Sequence, residues 1–495
     1  MSQINISNLT FGYDGSSDNV FDGVSFRIDT DWRLGFTGRN GRGKTTFLKL
    51  LMGMYEYSGS ISSSVEFLYF PFEVADKTML AADVARGINT DFELWELERE
   101  LSLLDADINI LTRPFETLSN GEQTKLLLAA LFLNDNGYLL IDEPTNHLDA
   151  LARQTVSEYL KSKKGFILVS HDRAFLDNCI NHILSINKTN IEIQRGNFSS
   201  WRENKERQDN FELAENEKLK KDINRLKTAA KRTSEWSDDI EKTKCGTKNS
   251  GLRPDRGYIG HKSAKMMKRS KSLENRQQNL IDEKSSLLKN IEEADSLKIH
   301  PLEYHSSRLV TFDRVSVSYG KKRIFDNASF EINHGDRIAL CGKNGSGKSS
   351  IIKLILGDDC DGIVHTGNIN KGKTLIISHV SQDTAHLRGN LTTFAKDNNI
   401  DESLFKAILR KLDFSKTQFE KDISDFSGGQ KKKVLVAKSL CVKAHLYIWD
   451  EPLNFIDVLS RMQIEELLLR YNPTMLFVEH DRAFTDVVAT KRVEL

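Results

Sequence analysis

The sequence predicts an α/β protein built from two similar halves that are joined by a long helical hairpin. Three observations lead to this prediction. The pattern G-x-x-x-x-G-K-[ST] occurs twice, at residues 38–45 and 342–349. Each copy follows a strand-like apolar run and precedes a helical run, which is the context that the pattern requires. Between the two halves, a highly charged segment carries apolar residues at helical spacing.

The two glycine-rich patterns have the residue types of phosphate-binding loops. Glycines let successive backbone N–H groups turn toward phosphate oxygens, and the helix that follows adds the positive potential of its N-terminus. The lysine would reach the β and γ phosphates of ATP, while the hydroxyl after it would bind Mg²⁺. The residues predicted to bind ATP in this way are Gly38, Asn40, Gly41, Gly43, Lys44, Thr45 and Thr46 in the first half, and Gly342, Asn344, Gly345, Gly347, Lys348, Ser349 and Ser350 in the second.

The repetition extends past these loops. Each half continues with a serine-glycine motif, then an apolar run that ends in Asp-Glu-Pro, then a His-Asp-Arg-Ala-Phe pentad. The apolar runs predict buried parallel strands that carry a pair of carboxylates at their C-terminal ends. The motif residues, in chain order, are Ser119, Gly121, Glu122, Asp142, Glu143 and His171 in the first half, and Ser427, Gly429, Gln430, Asp450, Glu451 and His480 in the second.

This ordered set, present twice, resembles the ATPase domain of the ATP-binding cassette superfamily over nearly all of both halves. The resemblance implies a role for each position, and the residue types agree with these roles. Mg²⁺ is a hard cation that takes oxygen ligands, especially carboxylates. The side chains implied as its ligands, directly or through water, are Thr45, Asp142, Ser349, Gln382 and Asp450.

The resemblance also implies the catalytic side chains. Glu143 and Glu451 would polarise the water that attacks the γ-phosphate, with His171 and His480 close to that phosphate. A histidine at the end of a strand is more often structural, but the same position is used in both halves.

Two tyrosines lie where the family stacks an aromatic side chain on adenine. They are Tyr13 and Tyr319, near the end of the first strand of each half. Without the resemblance, a lone tyrosine in a strand would more often be assigned to packing or to the surface. With it, adenine stacking is the expected role.

In this superfamily, the signature serine of one half completes the nucleotide site of the other half. The resemblance therefore implies two composite sites in an intramolecular dimer of cassettes, and we expect a monomer. ATP would hold the halves together, and its hydrolysis would release them. Site one would combine Lys44, Thr45, Asp142 and Glu143 with Ser427, Gly429 and Gln430, and site two would combine Lys348, Ser349, Asp450 and Glu451 with Ser119 and Gly121.

One position breaks the symmetry of the two sites. The family places a glutamine near Mg²⁺ and the attacking water, and the second half has it as Gln382. The corresponding residue of the first half is Phe72, which cannot ligate an ion or orient a water. This difference predicts that site one hydrolyses ATP more slowly than site two.

Composition excludes some classes of protein. Hydrophobic residues make up 39% of the 495 residues and charged residues 28%, which is typical of packed globular domains. No apolar run reaches the roughly 18 residues that a membrane helix needs, and no signal peptide is recognisable. We therefore expect a cytoplasmic protein without a membrane segment. The five cysteines are scattered, which favours free thiols over disulfides or a zinc site.

The segment at residues 204–300 separates the predicted ATPase domains at 1–203 and 301–495. Apolar residues at heptad spacing, such as Leu273, Leu280 and Leu287, predict two antiparallel helices packed as a coiled coil. Glycines and Pro254 between the helices predict a loop at the tip, about residues 233–261.

Basic residues are concentrated around this tip. A solvated helix face is the ordinary explanation for such charge. The excess of one sign, together with aromatic residues, instead favours a polyanion such as structured RNA. The residues predicted to contact it are Trp236, Tyr258, Lys262, Lys265, Lys268 and Arg269.

Tandem cassettes, no membrane segment and a long helical linker together resemble the ABC-F family, and the sequence at residues 143–149, Glu-Pro-Thr-Asn-His-Leu-Asp, matches it specifically. ABC-F proteins enter the ribosome at the tRNA exit site, and their linker reaches toward the peptidyl-transferase centre. The partners implied are the bacterial 70S ribosome, through 23S rRNA and the exit-site region, and the peptidyl-site tRNA. Without an arm inserted in the first half, the chain looks most like the Lsa-type antibiotic-resistance members, which are associated with lincosamides, pleuromutilins and streptogramin A.

Two other functions remain open at this stage. A general ABC-F translation factor that relieves stalled ribosomes would share every residue named above. The ATPase subunit of a membrane transporter would need a separate membrane protein, and the helical linker has no evident use there. The sequence also leaves open whether drug displacement would be direct, through the tip, or indirect, through ribosomal RNA and tRNA.

Overall fold

The structure of the protein is a computed structural model that divides into two compact units. The first unit comprises Met1–Ile186, Asn190–Ser199 and Ala294–Leu495, and the second comprises Ser200–Glu293 with Asn187–Thr189. Both nucleotide-binding halves belong to the first unit. The residues that the structure describes are 2–13, 19–134, 137–146, 148–186, 191–242, 256–287, 297–320, 322–343, 345–357 and 363–495.

The first half contains two sheets. Its strands are β1 (Gln3–Phe11), β2 (Phe21–Asp29), β3 (Arg33–Thr37), β4 (Ser58–Ser62), β5 (Glu66–Phe70), β6 (Gly137–Asp142), β7 (Phe166–Val169), β8 (His182–Ile186) and β9 (Ile191–Arg195). The small antiparallel sheet has the order β2-β1-β4, and the large sheet has the order β5-β6-β7-β3-β8-β9. In the large sheet, β5, β6, β7, β3 and β8 pair in parallel in that order, so their carboxyl ends lie at one edge.

The helices of the first half connect these strands. They are α1 (Lys44–Leu51), α2 (Ala81–Ile88), α3 (Leu94–Leu103), α4 (Asn120–Phe132), α5 (Ala150–Ser162) and α6 (Arg173–Cys179). Apolar side chains of the small sheet, the large sheet and α1 form one buried core that includes Ile4, Phe36 and Phe47. Because β3 is buried, the loop after it is presented at the sheet edge by a rigid strand.

Two long helices follow. They are α7 (Phe198–Lys242) and α8 (Arg256–Leu287). Along α8 the less exposed side chains recur at heptad spacing, with Ser263 and Ser270 buried and Met266 and Leu273 half-buried. This pattern indicates one packed face. The antiparallel coiled coil itself remains a prediction.

The predicted loop at 233–261 is longer than the structure allows. Helix α7 continues to Lys242, and α8 already begins at Arg256, so Trp236 and Tyr258 both lie in helices. Glycines such as Gly257 cost a helix only about 1 kcal/mol each, which neighbouring helix-forming residues offset. Residues 243–255, with Pro254, and the side chain of Trp236 lie outside the described parts of the chain.

The second half repeats the first. Its strands are β10 (Arg308–Tyr319), β11 (Lys322–Asn333), β12 (Arg337–Cys341), β13 (Ile363–Lys371), β14 (Ile377–Val380), β15 (Leu446–Asp450), β16 (Met475–Val478) and β17 (Lys491–Glu494). Its helices are α9 (Lys348–Leu356), α10 (Leu391–Asp397), α11 (Glu402–Lys411), α12 (Gly428–Cys441), α13 (Val458–Tyr471) and α14 (Arg482–Val488). The sheet orders are β11-β10-β13 and, all parallel, β14-β15-β16-β12-β17.

The signature serines and the pentad aspartates begin helices. Ser119 and Ser427 are the N-caps of α4 and α12, each in a capping box with the residue three positions later. The N-caps of α6 and α14 are Asp172 and Asp481, the second residues of the His-Asp-Arg-Ala-Phe pentads. These motifs therefore set where helices start, and each histidine precedes a capped helix.

The described residues include no helix with the length and apolarity that crossing a membrane requires.

Candidate nucleotide-binding sites

The first phosphate-binding loop surrounds the ammonium group of Lys44. Its Nζ donates hydrogen bonds to the carbonyl oxygens of Gly38, at 2.7 Å, and Arg39, at 3.1 Å. Burial lowers the pKa of Lys44, while the negative charges of Asp457 and Glu143 act in the opposite direction. The loop thus combines a buried cationic group with the N-terminus of α1, which suits an anion.

The second loop has the same arrangement. Lys348 Nζ donates to the carbonyl oxygens of Gly342 and Lys343, both at 2.9 Å. Burial lowers the pKa of Lys348, and the carboxylates Glu451 and Asp450 raise it. Asn344, predicted to take part, lies outside the described residues.

One glycine in each loop is required by its surroundings. Gly43 has φ 88°, and a Cβ there would lie 2.4 Å from Val20 Cγ1. Gly347 has φ 98°, and a Cβ there would lie 2.7 Å from Phe325 Cδ1. Any other residue would meet both backbone strain and a steric clash. The pattern therefore has a structural reason as well as a chemical one.

Each loop hydroxyl lies against the aspartate that ends the neighbouring strand. Thr45 Oγ1 donates to Asp142 Oδ2 at 2.8 Å, and Ser349 Oγ donates to Asp450 Oδ2 at 3.2 Å. Asp450 Oδ1 is buried and, within the described structure, has no hydrogen-bond partner. A hydroxyl, a carboxylate and an unsatisfied buried oxygen fit Mg²⁺, which binds through one or two carboxylates plus substrate phosphates.

Tyr69 is a site residue that the sequence reasoning missed. It lies in β5, and its hydroxyl donates to Asp142 Oδ2 at 3.1 Å. Burial and the charge of Asp142 raise the pKa of Tyr69, so it remains a neutral donor. The available signal was its position near the end of the apolar run that precedes Phe72, because the neighbouring parallel strand β6 also ends at this edge, with Asp142.

The two glutamates predicted to be catalytic have the same backbone conformation. Both are left-handed, with φ 51° at Glu143 and φ 47° at Glu451. His171 Nε2 lies 3.3 Å from Glu143 Oε1, and His480 Nε2 lies 3.5 Å from Glu451 Oε1. The structure therefore brings each predicted glutamate to its predicted histidine.

The surroundings of the two glutamates differ. Glu451 Oε2 accepts hydrogen bonds from Gln382 Nε2, at 2.9 Å, and Asn454 Nδ2, at 2.6 Å. Burial raises the pKa of Glu451, but His480 and Gln382 lower it more, so its pKa lies below the ordinary value. Asn454 was not singled out by the sequence reasoning.

Glu143 lacks comparable donors. Its Oε1 is buried, and although His171 Nε2 lies 3.3 Å away, this contact lacks hydrogen-bond geometry, so the oxygen has no hydrogen-bond partner among the described residues. Burial and the charge of Asp142 raise the pKa of Glu143 to about 8, although Arg461 and Lys44 oppose them. Burial and Lys44 also lower the pKa of His171 well below its usual range. Burial therefore favours the neutral form of both groups.

Phe72 lines a cavity of about 530 Å³ in the first half. Apolar residues, including Phe70, Phe115 and Leu127, form much of its wall, and Glu143 lies at the same cavity. Where the second half has an amide that donates to the glutamate, the first half thus has an aromatic surface.

The two predicted adenine-stacking tyrosines contact the residue after the loop hydroxyl. Tyr13 OH lies 2.7 Å from Thr46 Oγ1, and Tyr319 OH lies 3.1 Å from Ser350 Oγ. Both rings are exposed. Each half therefore presents an aromatic ring close to the start of its loop helix, available for stacking.

A cavity of about 780 Å³ lies between the two halves at site two. This volume is within the range of small-molecule sites, about 300–1,000 Å³. It brings the signature motif of the first half to the phosphate loop of the second, as the composite site requires. The predicted residues that line it are Ser119, Gly121, Glu122, Tyr319, Gly345, Gly347, Lys348, Ser349, Ser350, Gln382, Glu451 and His480.

At site one, the two halves make direct contact. Asn40 Nδ2 donates to the carbonyl oxygen of Phe455 at 2.7 Å. A Cβ at Gly429 would lie 2.9 Å from Asn40 Nδ2 and 2.3 Å from Phe455 O. Arg173 also pairs with Glu465 across the halves. The second signature motif, which starts at Ser427 and includes Gln430, therefore lies beside the first loop.

The predicted RNA-binding residues with described side chains lie on α8. Tyr258, Lys262, Lys265, Lys268 and Arg269 are all exposed. Their side chains are thus accessible to a large partner.

Comparison with known proteins agrees with this architecture. The family model described as "ABC transporter" matches residues 21–146 and 325–454, which covers the loop, signature and acidic-strand regions of both halves. A crystal structure of the archaeal ribosome recycling factor aABCE1, in complex with the ribosomal stalk protein aP1, has a similar fold. Its TM-score is 0.64 at 18% identity, over 98% of this chain and 87% of that one.

Two relatives match almost the whole chain. The ribosome protection protein VmlR of Bacillus subtilis is 27% identical over 97% of this chain and 85% of its own length. The energy-dependent translational throttle protein EttA of Haemophilus influenzae is 25% identical over 95% of this chain and 88% of its own. The chain therefore belongs to the ATP-binding cassette family as a tandem ATPase, and within that family to the ABC-F proteins.

Proposed function

We propose that this ATPase binds the bacterial ribosome in an ATP-dependent manner and protects it from antibiotics of the peptidyl-transferase centre. The observation that carries the proposal is the cavity at site two, lined by the signature of one half and the phosphate loop of the other. A nucleotide bound there contacts both halves, so it stabilises their closed arrangement. The name of VmlR supports ribosome protection as the use of this clamp.

ATP hydrolysis takes place mainly at site two. The ionised Glu451 is held by Gln382 and Asn454, so its carboxylate can orient and polarise a water for attack on the γ-phosphate. His480 contacts the other carboxylate oxygen. Mg²⁺, bound by Ser349, Asp450 and Gln382, would neutralise charge on the phosphates.

Site one binds ATP and hydrolyses it slowly. Burial raises the pKa of its glutamate, Glu143, to about 8, which favours the protonated form, and the site has Phe72 where the second half has an amide. A protonated carboxyl group is a poor general base. Thr45 and Asp142 would bind Mg²⁺ here, and ATP at this site acts chiefly as an adhesive between the halves.

The helical segment recognises ribosomal RNA. The exposed cationic side chains of α8, Lys262, Lys265, Lys268 and Arg269, suit contact with phosphates, and exposed Tyr258 suits stacking on a base. The contacts proposed are with 23S rRNA near the exit site and with peptidyl-site tRNA. Trp236 is proposed to contact the same RNA.

The proposed subgroup is the Lsa type, with protection against lincosamides, pleuromutilins and streptogramin A in the cytoplasm. The alternative is a general translation factor, which the name of EttA favours. These two functions share the ATPase and the ribosome, and they differ only in whether a drug is displaced. A transporter subunit is a third, weaker candidate, because nothing in such a complex would use α7 and α8.

Growth inhibition separates the first two functions. The chain is expressed in a susceptible bacterium, and the inhibitory concentrations of a lincosamide, a pleuromutilin and a macrolide are measured. Protection against the first two is expected, and it should disappear in the variant with Glu143→Gln and Glu451→Gln. The matched control is Glu158→Gln with Glu466→Gln, two exposed glutamates on α5 and α13, which should protect like the parent. Absence of protection against every drug would favour the general factor.

Ribosome binding is tested directly by sedimentation. The variant with Glu143→Gln and Glu451→Gln should co-sediment with purified ribosomes in the presence of ATP. Replacing Lys262, Lys265, Lys268 and Arg269 by glutamine in that background should weaken binding and reduce its dependence on salt, because fewer phosphate contacts release fewer counterions. Failure of the double-glutamine variant to co-sediment would contradict the ribosomal function.

A further inference from the structure

An exposed apolar surface lies on α3 of the first half. Leu94 is 41% exposed, Trp95 58% and Leu103 56%. Leu97 and Leu101 are buried and attach the helix to the domain. Trp95 lies on the side of the helix away from them, Leu103 lies at the margin of that side, and Leu94 is exposed at the first residue of the helix, so packing of the domain does not require these three side chains. Isolated exposed apolar residues are ordinary on protein surfaces. Three on one ten-residue helix are unusual enough to compare with the repeat of the same helix.

Helix α11 is that repeat, and it serves as an internal control. Both helices have ten residues, begin after an acidic N-cap, Glu93 or Asp401, and are soon followed by a left-handed aspartate, Asp105 or Asp413. The fold is therefore satisfied by either set of surface residues. At the positions of Leu94, Trp95 and Leu103, α11 carries Glu402, Ser403 and Lys411.

The segment after α3 shows the same difference between the halves, with an apolar residue in the first half and a polar residue at the corresponding position of the second. Ile108 begins a short 3₁₀ helix in the first half and is 47% exposed. The corresponding 3₁₀ helix of the second half begins with Lys416. Helix α11 does expose one large apolar residue, Leu404, at 39%, but the four compared positions are apolar in the first half and polar in the second.

The charge of α3 narrows the choice of partner. The helix carries three glutamates and one arginine, whereas α11 carries one glutamate, two lysines and one arginine. Glu100 is buried and satisfied internally by Lys163 and Tyr159, which leaves Glu96, Glu98 and the N-cap Glu93 around the apolar residues. Only Arg99, whose guanidinium lies 5.6 Å from the Trp95 ring centroid, is positive there.

We propose that Leu94, Trp95 and Leu103 form a docking surface for a lysine- or arginine-rich protein segment that carries an apolar anchor residue. Nucleic acid and an anionic membrane would be repelled by the surrounding glutamates, while a basic segment is attracted to them. An exposed tryptophan is the residue type that most often dominates such an interface. The inference rests on the proposed function, in which the partner is a basic protein on the surface of the ribosome.

Docking on α3 would be adjacent to site two. The helix leads into Asp105, Ala106 and Asp107, which line the 780 Å³ cavity together with Lys348. A partner that binds α3 would therefore lie next to a segment that forms part of the wall of a nucleotide site. The first half would in this way recognise protein, while the cationic α8 recognises RNA.

Site-specific photo-crosslinking tests the proposal. A benzophenone amino acid replaces Trp95 in the full chain that also carries Glu143→Gln and Glu451→Gln, and the matched control places it at Ser403. Both proteins are mixed with purified ribosomes and ATP, sedimented and irradiated, and crosslinked proteins and RNA are identified. The expected result is a crosslink from position 95 to a ribosomal protein, with none to that protein from position 403.

A second variant measures the energetic contribution of the anchor. Trp95→Ser, which introduces the residue type found in α11, should weaken ribosome binding by about tenfold or more. Its thermal unfolding should match that of the parent, since the side chain is largely exposed, and Ser403→Ala is the control for binding. A crosslink from position 95 to RNA alone, or no crosslink from a protein that co-sediments, would overturn the inference. If neither the position-95 protein nor the position-403 protein co-sediments, the proposed ribosomal function is wrong, and the proposed docking surface is then contradicted as well.

Discussion

The glutamates of the two nucleotide sites have the same backbone conformation, but the residues around their carboxylates differ. At site two, Glu451 accepts hydrogen bonds from Gln382 and Asn454, and its pKa lies below the ordinary value. At site one, Phe72 replaces the amide, and burial raises the pKa of Glu143 to about 8. The comparison teaches that a shared motif does not determine a shared protonation state. Hydrogen-bond donors and burial around the motif decide it.

The sites also differ in the hydrogen-bond donors around the aspartate that is predicted to bind Mg²⁺. In site one, Tyr69 donates to Asp142 at 3.1 Å, in addition to Thr45. In site two, Ser349 donates to Asp450, whose second oxygen has no hydrogen-bond partner in the described structure. In site one, the two side-chain donors bind the aspartate, Asp142, whereas in site two the two amide donors bind the glutamate, Glu451. This difference predicts retention of ATP at site one and turnover at site two.

Separate glutamine substitutions should have the largest effect. Glu451→Gln removes the ionised carboxylate and should lower ATP turnover by about a hundredfold, the scale of losing a general base. Glu143→Gln should cause a much smaller loss, because this group is already neutral at pH 7. Phosphate release by each purified variant measures both. Equal residual rates would contradict the proposed difference between the sites.

Exchanging the residues at the glutamine position should have the next largest effect. Gln382→Phe removes a hydrogen bond to the ionised Glu451 and should lower turnover by about tenfold. In a Glu451→Gln background, Phe72→Gln should raise the remaining turnover, since it supplies an amide beside Glu143. Phe72→Leu in the same background is the control, because it adds no donor. A gain with leucine as large as that with glutamine would show that space, not hydrogen bonding, is responsible.

Removing the hydroxyl of Tyr69 should weaken Mg²⁺-dependent nucleotide binding at site one by about tenfold, because a hydrogen bond that orients a metal-binding carboxylate is lost. Binding of a fluorescent ATP analogue to Tyr69→Phe, with Mg²⁺ or EDTA, measures this in a Lys348→Ala background that disables site two. Tyr138→Phe is the control, since its buried hydroxyl has no hydrogen-bond partner in the described structure. Unchanged Mg²⁺ dependence would exclude a role for Tyr69.

Folding raises the pKa of Glu143 and lowers that of Glu451, so substituting these two glutamates should change the thermal stability at high pH in opposite directions. Folding raises the pKa of Glu143 from 4.5 to about 8, so its contribution to stability falls as the pH rises through that interval. Glu143→Gln should therefore raise Tm at pH 9 by a few degrees in EDTA without nucleotide, and raise it less at pH 6.

Glu451→Gln is the matched comparison for this measurement. The pKa of Glu451 is lowered on folding, so its ionised form stabilises the protein at pH values above the unfolded pKa. Its substitution should lower Tm at pH 9. Shifts of the same sign for both variants would contradict the different protonation of the two glutamates.

Local elements were predicted well from the sequence because their signals are local. The predicted strands before the loops, Trp32 to Thr37 and Arg337 to Cys341, correspond to β3 and β12. The repeated motifs predicted two ATPase halves, and the family match covers part of each half. Glycines at positive φ and serine N-caps explain why these motifs recur as local structures.

Predictions failed or were missing where several elements contribute. The tip loop was predicted too long, because the glycines around Gly257 do not break a helix whose other residues favour it. Tyr69 and Asn454 were missed, because their roles depend on strands and loops that meet only in the folded chain. The contact between Asn40 and Phe455 joins residues from the two halves, which no local pattern contains.

The sequence by itself determined which chemical groups the two predicted sites contain. Each site has a lysine, an aspartate-glutamate pair and a histidine, and only the second has the glutamine, Gln382, where the first has Phe72. Only the tertiary structure decided how these groups behave. Burial beside Asp142 raises the pKa of Glu143, while hydrogen-bond donors from two separate loops stabilise the ionised form of Glu451. The physical reason is that residue identity is local, whereas desolvation, hydrogen bonding and the composition of a shared cavity depend on residues that are distant in the chain.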